Sequence, residues 1–187
     1  MDKKGVESYL KEGMKLRSRV NAEEIYAIGT EIAQSLVERN ATIFIFGNGG
    51  SASDAMHMVE EFSCYNQRRH RRPLSAFALT SSSPTITAIG NDFGYDEIFA
   101  RQLRAVAHEG DVVIGLSTSG NSVNVLKGLE EANKLGCFTI ALTGKTGGNM
   151  KGKADRIIRV DSTSTPLIQE VHMAIGHMLS LIVEDLI

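Results

Sequence analysis

The sequence predicts an α/β fold: a three-layer sandwich built on a five-stranded parallel sheet, with N-terminal helices and a long C-terminal helix. Three observations carry the prediction. Short β-rich apolar runs recur at residues 42–46, 75–79, 112–116, 138–142 and 157–160. Several are apolar on both faces, as strands of a parallel sheet covered on each side must be. Segments of helical period lie between them, and the junctions are rich in glycine and hydroxyl residues.

In chain order, two amphipathic helices come first. One spans the region of residues 9–20, and the other is marked by Ile25, Ile28, Ile32, Leu36 and Val37 recurring at three to four residues. Strand 42–46 runs into Gly47-Asn48-Gly49-Gly50-Ser51, and a helix follows over 52–62. Strand 75–79 and a helix over 95–107 lead to strand 112–116, which enters the turn Ser117-Thr118-Ser119-Gly120-Asn121-Ser122. The next helix, 123–135, carries Val125, Leu129 and Ala132 on one side. After the last two strands, Thr165 and Pro166 form a cap and first-turn pair for a helix reaching Leu186. Its apolar residues, among them Leu167, Val171, Ile175, Met178, Ile182 and Leu186, surround most of the circumference. A surface helix does not allow that, so this one is expected to be buried, in part against another subunit. No linker or repeat divides the chain, so residues 1–187 read as one domain, with 1–40 a helical extension that packs on the domain or on a partner subunit.

Composition narrows the function. Twenty Lys and Arg against 22 Asp and Glu give a net charge of −2, without the basic surplus that draws a protein to nucleic acid or anionic membranes. Aromatic content is 6% with no Trp, which leaves few platforms for stacking bases. Apolar runs are read as shorter than the ~20 residues that span a bilayer, and the amino terminus lacks a signal-type apolar stretch. A cytoplasmic protein with neither nucleic-acid nor membrane partners is expected. Cys64 and Cys137 have no CxxC spacing and read as small reduced core residues. The single basic cluster is Arg68, Arg69, Arg71 and Arg72, read as a solvated loop.

The 18 glycines are the informative excess, because they cluster at turns. Two strand-to-helix turns, one glycine-rich and one hydroxyl-rich, fall at the carboxyl edge of one parallel sheet, where such folds place ligands. Backbone N–H groups and helix dipoles there favour an anion, and Ser51, Ser117, Ser119 and Ser122 add hydroxyl donors, a combination suited to phosphate. The spacing misses GxGxxG and no Lys follows in the manner of a P-loop, so no nucleotide cofactor is expected. His57 and Glu61 stand four residues apart on one helical face beside the first turn. The last helix carries Gln169, His172 and His177. His172 and His177 differ by about 140° around the axis and so serve different purposes; Gln169 and His177 are separated by about 12 Å of rise, which makes sites between subunits the simplest way to use both.

Taken together, these segments resemble the phosphoheptose isomerases, the sedoheptulose-7-phosphate isomerases of the sugar-isomerase (SIS) superfamily. The resemblance runs through GNGGSASDAMHMVEEF, AIGNDFGYDEIFARQ, GDVVIGLSTSGNSVNVLKGL, ALTGKTGG and PLIQEVHMAIGH, nearly the whole chain. It implies a flavodoxin-like SIS sheet and an aldose–ketose isomerase that makes D-glycero-D-manno-heptose 7-phosphate through an enediol, in the synthesis of heptose precursors of bacterial lipopolysaccharide. It also implies roles: Glu61 and His177 as the catalytic acid/base pair; Asn48, Gly49, Gly50, Ser51, Ser117, Thr118, Ser119 and Ser122 around the phosphate; Asn91, Asp92, Glu61 and Gln169 on the sugar. His57, Glu61, Gln169 and His177 match a site for one Zn2+ per subunit, and the family is a homotetramer with active sites at subunit contacts. The chain departs from the family pattern in two places. Residues 62–72, FSCYNQRRHRR, form a slightly longer segment than the family's, and Leu167 stands where many members carry Arg, which opens the substrate to a modified heptose phosphate or another sugar phosphate. The competing class is a non-catalytic SIS module that binds a sugar phosphate or a replication initiator; such relatives lack the His/Glu/Gln/His set, and site chemistry, not fold, separates the two.

Overall fold

Successive side chains of the first strand, β1 (Ile43–Gly47), divide between two cores: Ile43 and Ile45 enter one cluster, Phe44 and Phe46 the other. Strand side chains alternate across the sheet, so a strand with apolar residues at every position must be covered twice. In the computed structural model, which describes residues 1–64 and 72–187, this produces three layers. Helices α1 (Lys3–Ser18), α2 (Ala22–Glu38), α3 (Gly50–Ser63) and α7 (Thr165–Leu186) cover the isoleucine face. Helices α4 (Ser83–Phe93), α5 (Ala100–Val106) and α6 (Val123–Lys134) cover the phenylalanine face.

Five strands, β1, β2 (Ala76–Ala78), β3 (Val112–Ser117), β4 (Phe138–Thr143) and β5 (Arg156–Arg159), form one parallel sheet in the order β2-β1-β3-β4-β5. The chain leaves β1 for one edge and returns to β3 on its other side. The crevice between the carboxyl ends of β1 and β3 is therefore a topological switch point, the place where open parallel sheets bind ligands. Register lines up these ends, with Gly47 opposite Leu116 and Ser117 opposite Thr143.

Three elements differ from the sequence reading. The helix expected over 95–107 is a 3₁₀ turn, Tyr95–Glu97, followed by α5. Lys127 of α6 binds both Asp96 and Glu97 and holds that turn against α6. Helix α4 was not expected: only Ile86 and Ile89 pack into the core, too few to give a strong period, although Ser82 caps it and Pro84 lies in its first turn. Helix α7 has the length and composition of a membrane span, contrary to the expectation that no run approaches that length. Here Ile168, Val171, Ile175, Leu179 and Val183 are core residues, and His172, Ser180 and Glu184 are buried beside them, as in the central helix of a globular domain. Met178 and Leu186 stay partly exposed. So does Cys64, which was read as a core residue; Cys137 is buried, and burial pushes its thiol up to about 11.

Helix α2 begins at Asn21, whose Oδ1 accepts hydrogen bonds from Glu23 N (3.1 Å) and Glu24 N (3.3 Å). Asn21→Ala leaves two first-turn donors without this acceptor and is expected to cost about 1 kcal/mol, measured as a lower urea midpoint at unchanged slope. At the other end of α2, Arg72 donates to the Leu36 carbonyl (3.0 Å) and to Asn40 Oδ1 (3.2 Å), which places a cation at a helix C-terminus. Arg68, Arg69 and Arg71 lie outside the described residues.

Candidate active site

The first wall of the site is the β1–α3 turn. Gly49 adopts φ +55°, a left-handed conformation that suits glycine, and it brings the chain from the end of β1 directly into α3. The turn therefore ends in the amino terminus of a helix, where unpaired N–H groups attract anions. Ser51 is buried, with its N–H on the Asn48 carbonyl (3.0 Å). The Asn48 side chain exchanges two 2.8 Å hydrogen bonds with Asn124 of α6, and its Oδ1 also accepts from the Tyr95 hydroxyl at 3.1 Å.

The second wall is the β3–α6 turn. Ser117 Oγ lies 3.0 Å from Ser122 Oγ and 3.4 Å from Ser119 Oγ, so three hydroxyls converge. Ser122 occupies the N-cap position of α6 without a side-chain capping bond, its hydroxyl being turned to Ser117. Ser119 Oγ accepts from Asn121 N (3.1 Å), and the Thr118 carbonyl accepts from Gly144 N (3.1 Å). Asn91 and Asp92, joined by a 2.8 Å hydrogen bond, are exposed near the end of α4, just before Tyr95.

Helices α3 and α7 lie side by side in the same direction, as their contacts show: Gly50 meets Gln169, and Gly176 meets Met58. This packing brings His177 to His57 and Glu61 within one chain. Glu61 Oε1 is 3.4 Å from His57 Nε2 and 3.4 Å from His177 Nε2, and the imidazole rings are 5.2 Å apart at 73°. The carboxylate is the sheltered member, its side chain 15% exposed against 51% for His57 and 42% for His177. Gln169 is not with them. Its amide lies over Gly50, where a Cβ would come within 2.8 Å of Cδ, and Gly50 precedes His57 by about 10 Å along the helix. One chain thus assembles the two histidines and the carboxylate and leaves Gln169 at the glycine turn. His172, on the other side of α7, is fully buried with Nε2 3.3 Å from the Thr143 carbonyl and does not join the cluster.

A cavity of about 560 Å³ opens between α1, α3 and α7, lined by Arg17, Asp54, Gln169, Glu170, Met173 and His177 among others. Asp54 Oδ2 is buried there without a hydrogen-bond partner among the described residues. Burial pushes its carboxyl up to about 6, and nearby His57 offsets part of that shift. Sequence reasoning missed Asp54, Asn124, Tyr95 and Arg17. Asp54 was within reach of the helical spacing, standing three residues before His57; the others come from elements whose approach only the packing decides.

His57, Glu61 and His177 place their ligand atoms within 4.8 Å of one another. Two imidazoles and a carboxylate are a donor set that zinc accepts, with coordination left for other oxygen or nitrogen ligands.

The family model described as SIS domain matches residues 8–144, so a switch-point crevice with two strand-to-helix turns and an adjacent His/Glu/His cluster stands here on a SIS-domain chain, and its relatives make it a phosphosugar isomerase. A probable phosphoheptose isomerase of Thermoplasma acidophilum is 46% identical over 177 residues, 95% of this chain and 96% of its own length. The phosphoheptose isomerase of Rhodospirillum rubrum is 50% identical over 143 residues, 76% of each chain. Among solved structures, a phosphoheptose isomerase from Francisella tularensis superposes with a TM-score of 0.91 at 32% identity, covering 97% of both chains. The chain belongs to the phosphoheptose isomerase family.

Proposed function

We propose that the protein interconverts sedoheptulose 7-phosphate and D-glycero-D-manno-heptose 7-phosphate, with the phosphate on the two switch-point turns and the C1–C2 end of the sugar at Glu61 and His177. The observation that carries this reading is the sheltered Glu61 carboxylate between two imidazoles, on the helix whose amino terminus closes the phosphate turn. Along α3, Ser51 precedes Glu61 by about 15 Å of rise, so one rigid helix spaces the anion-binding end from the reacting end.

Moving a carbonyl from C2 to C1 requires removal of a proton from C1, transfer of a proton between the two oxygens, and return of a proton to C2. Glu61 takes the C1 proton and delivers it to C2; His177, 3.4 Å from the carboxylate, shuttles the hydroxyl proton. His57, Glu61 and His177 would hold Zn2+, with Gln169 of a second subunit as the fourth ligand in keeping with its separation from His177 along α7; bound there, the ion supplies Lewis-acid polarisation of the carbonyl oxygen. Exposed apolar side chains at Val6, Leu10 and Met14, four residues apart on α1, give a face that another subunit would cover in the homotetramer expected from the family. The remaining expectations, a cytoplasmic location and a place in bacterial heptose synthesis, rest on the family.

Incubation with sedoheptulose 7-phosphate in D2O is expected to yield the aldoheptose phosphate with solvent deuterium at C2, read by NMR. Absence of both product and deuterium incorporation across a panel of ketose phosphates would favour the non-catalytic reading. Zinc titration by calorimetry is expected to give one site per chain, and none in His57→Ala/His177→Ala.

A further inference from the structure

The loop after β4, residues 144–150, has been given no role beyond the Gly144 N bond to Thr118, yet it is built closely against the second proposed phosphate turn. Three hydrogen bonds join them: Gly144 N to the Thr118 carbonyl (3.1 Å), Met150 N to the Gly120 carbonyl (3.1 Å) and Asn149 N to Asn121 Oδ1 (3.0 Å). The approach is closer than side chains permit. A Cβ on Gly120 would overlap the Gly147 carbonyl, and one on Gly148 would lie 2.6 Å from the Ser119 carbonyl oxygen. Gly120, Gly147 and Gly148 all have positive φ, at +69°, +72° and +49°.

We infer that residues 144–150 are a positioning clasp that sets the shape of the Ser117–Ser122 turn and thereby its affinity for the phosphate group of the substrate. The inference rests on the proposed placement of the phosphate on that turn. Physically, a turn that receives an anion through converging hydroxyls and N–H groups works only if those donors are held in place beforehand, because ordering them on binding would cost affinity. Hydrogen bonds within the turn, such as Ser117 to Ser122, set local geometry. The clasp supplies what they lack, a rigid support anchored on β4, with Gly144 following directly on Thr143. Its residues touch no reacting carbon, so the effect belongs to binding and not to the proton transfers.

The test compares two glycines of equal backbone demand. Gly148 (φ +49°) and Gly152 (φ +72°) both adopt left-handed conformations, but a Cβ at 148 presses on Ser119, whereas one at 152 meets nothing within 4 Å. Gly148→Ala is expected to raise KM for sedoheptulose 7-phosphate and the competitive inhibition constant of inorganic phosphate together, by about tenfold, the equivalent of one weakened charge-assisted hydrogen bond. Its kcat should stay within about twofold, a difference that corresponds to less than half of one such bond. Gly152→Ala should share the loss of thermal stability and keep both constants. Asn121→Asp keeps the acceptor for Asn149 N and loses the Nδ2 donor to the Ser119 carbonyl (3.1 Å), which separates the two bonds of that side chain. Asn121→Ala, which loses both without backbone strain, should move the same two constants in the same direction and by more than Asn121→Asp. Unchanged phosphate inhibition in folded Gly148→Ala and Asn121→Ala would overturn the clasp. So would a fall in kcat with KM constant, or an equal rise in KM for Gly152→Ala. Failure of phosphate and substrate to bind the wild-type protein would instead overturn the underlying placement of the site.

Discussion

Glu61→Gln is expected to reduce turnover of sedoheptulose 7-phosphate by about 10²–10⁴-fold, the range associated with loss of a positioned general base. The substitution keeps the size of the side chain and removes its ability to take a proton from C1. Sugar-phosphate binding, read by calorimetry on the variant, should change only a few-fold, because the proposed phosphate site is built on the amino-terminal turn of α3, more than two helical turns before Glu61, and on the turn before α6. Deuterium exchange into unreacted sedoheptulose 7-phosphate should fall in parallel with turnover, since both begin with the same proton abstraction. Retention of wild-type exchange in Glu61→Gln would show that another group is the base. The obvious alternative is Asp54, about two helical turns from Glu61 on the same side of α3 and carrying a carboxyl pushed up to about 6 by burial.

A second large effect concerns stability below neutral pH. His172 is fully buried, and loss of hydration lowers its imidazole from 6.5 to about 4, against a smaller opposing contribution from its hydrogen bond to the Thr143 carbonyl. Between these values the unfolded chain binds a proton at His172 and the folded chain does not. The stability associated with the neutral imidazole is therefore complete above pH 6.5 and declines as pH falls towards 4, by about 3 kcal/mol in all. Asp54 acts in the opposite sense. Its carboxyl is raised from 3.8 to about 6, so stability is lost as pH rises through that interval, and its partial exposure makes the effect the smaller of the two. Urea denaturation from pH 7.5 to 4 should show a decline in the wild type that is distinctly shallower in His172→Leu, since only His172 differs between the two curves. Parallel curves would mean that His172 is accessible to protons in the folded state.

Helix α3 shows how much of the site local sequence already contains. Glycines at 47, 49 and 50 after an apolar strand, then Ser51, His57 and Glu61 at helical intervals, are enough to place an anion-binding turn and an imidazole–carboxylate pair on one element. Both follow from short-range geometry, the period of the helix and the restricted conformations of non-glycine residues at positive φ. Helix α7 shows the limit. Its rotational arithmetic separates His172 from His177, and the structure puts one in the core and the other in the site. The same arithmetic made sites between subunits the simplest way for Gln169 and His177 to share a purpose; it carries no information on α3, which lies alongside α7 and meets Gln169 and His177 with different turns.

Periodicity and turn chemistry alone pointed to the parallel α/β sheet, the two strand-to-helix turns and the His57–Glu61 pair, because each is a relation between residues close in sequence; His177 joined that pair only through the family resemblance. Tertiary structure alone decided that His177 meets Glu61 at 3.4 Å, that Asn124 and Tyr95 converge on Asn48, and that a third loop, 144–150, backs the serine turn. These contacts join segments whose approach is set by the packing of whole helices and by the crossing of the chain at the β1–β3 switch point. Hydrophobic burial drives that packing without regard to which polar groups it brings together, so the order of residues along the chain does not encode those meetings locally.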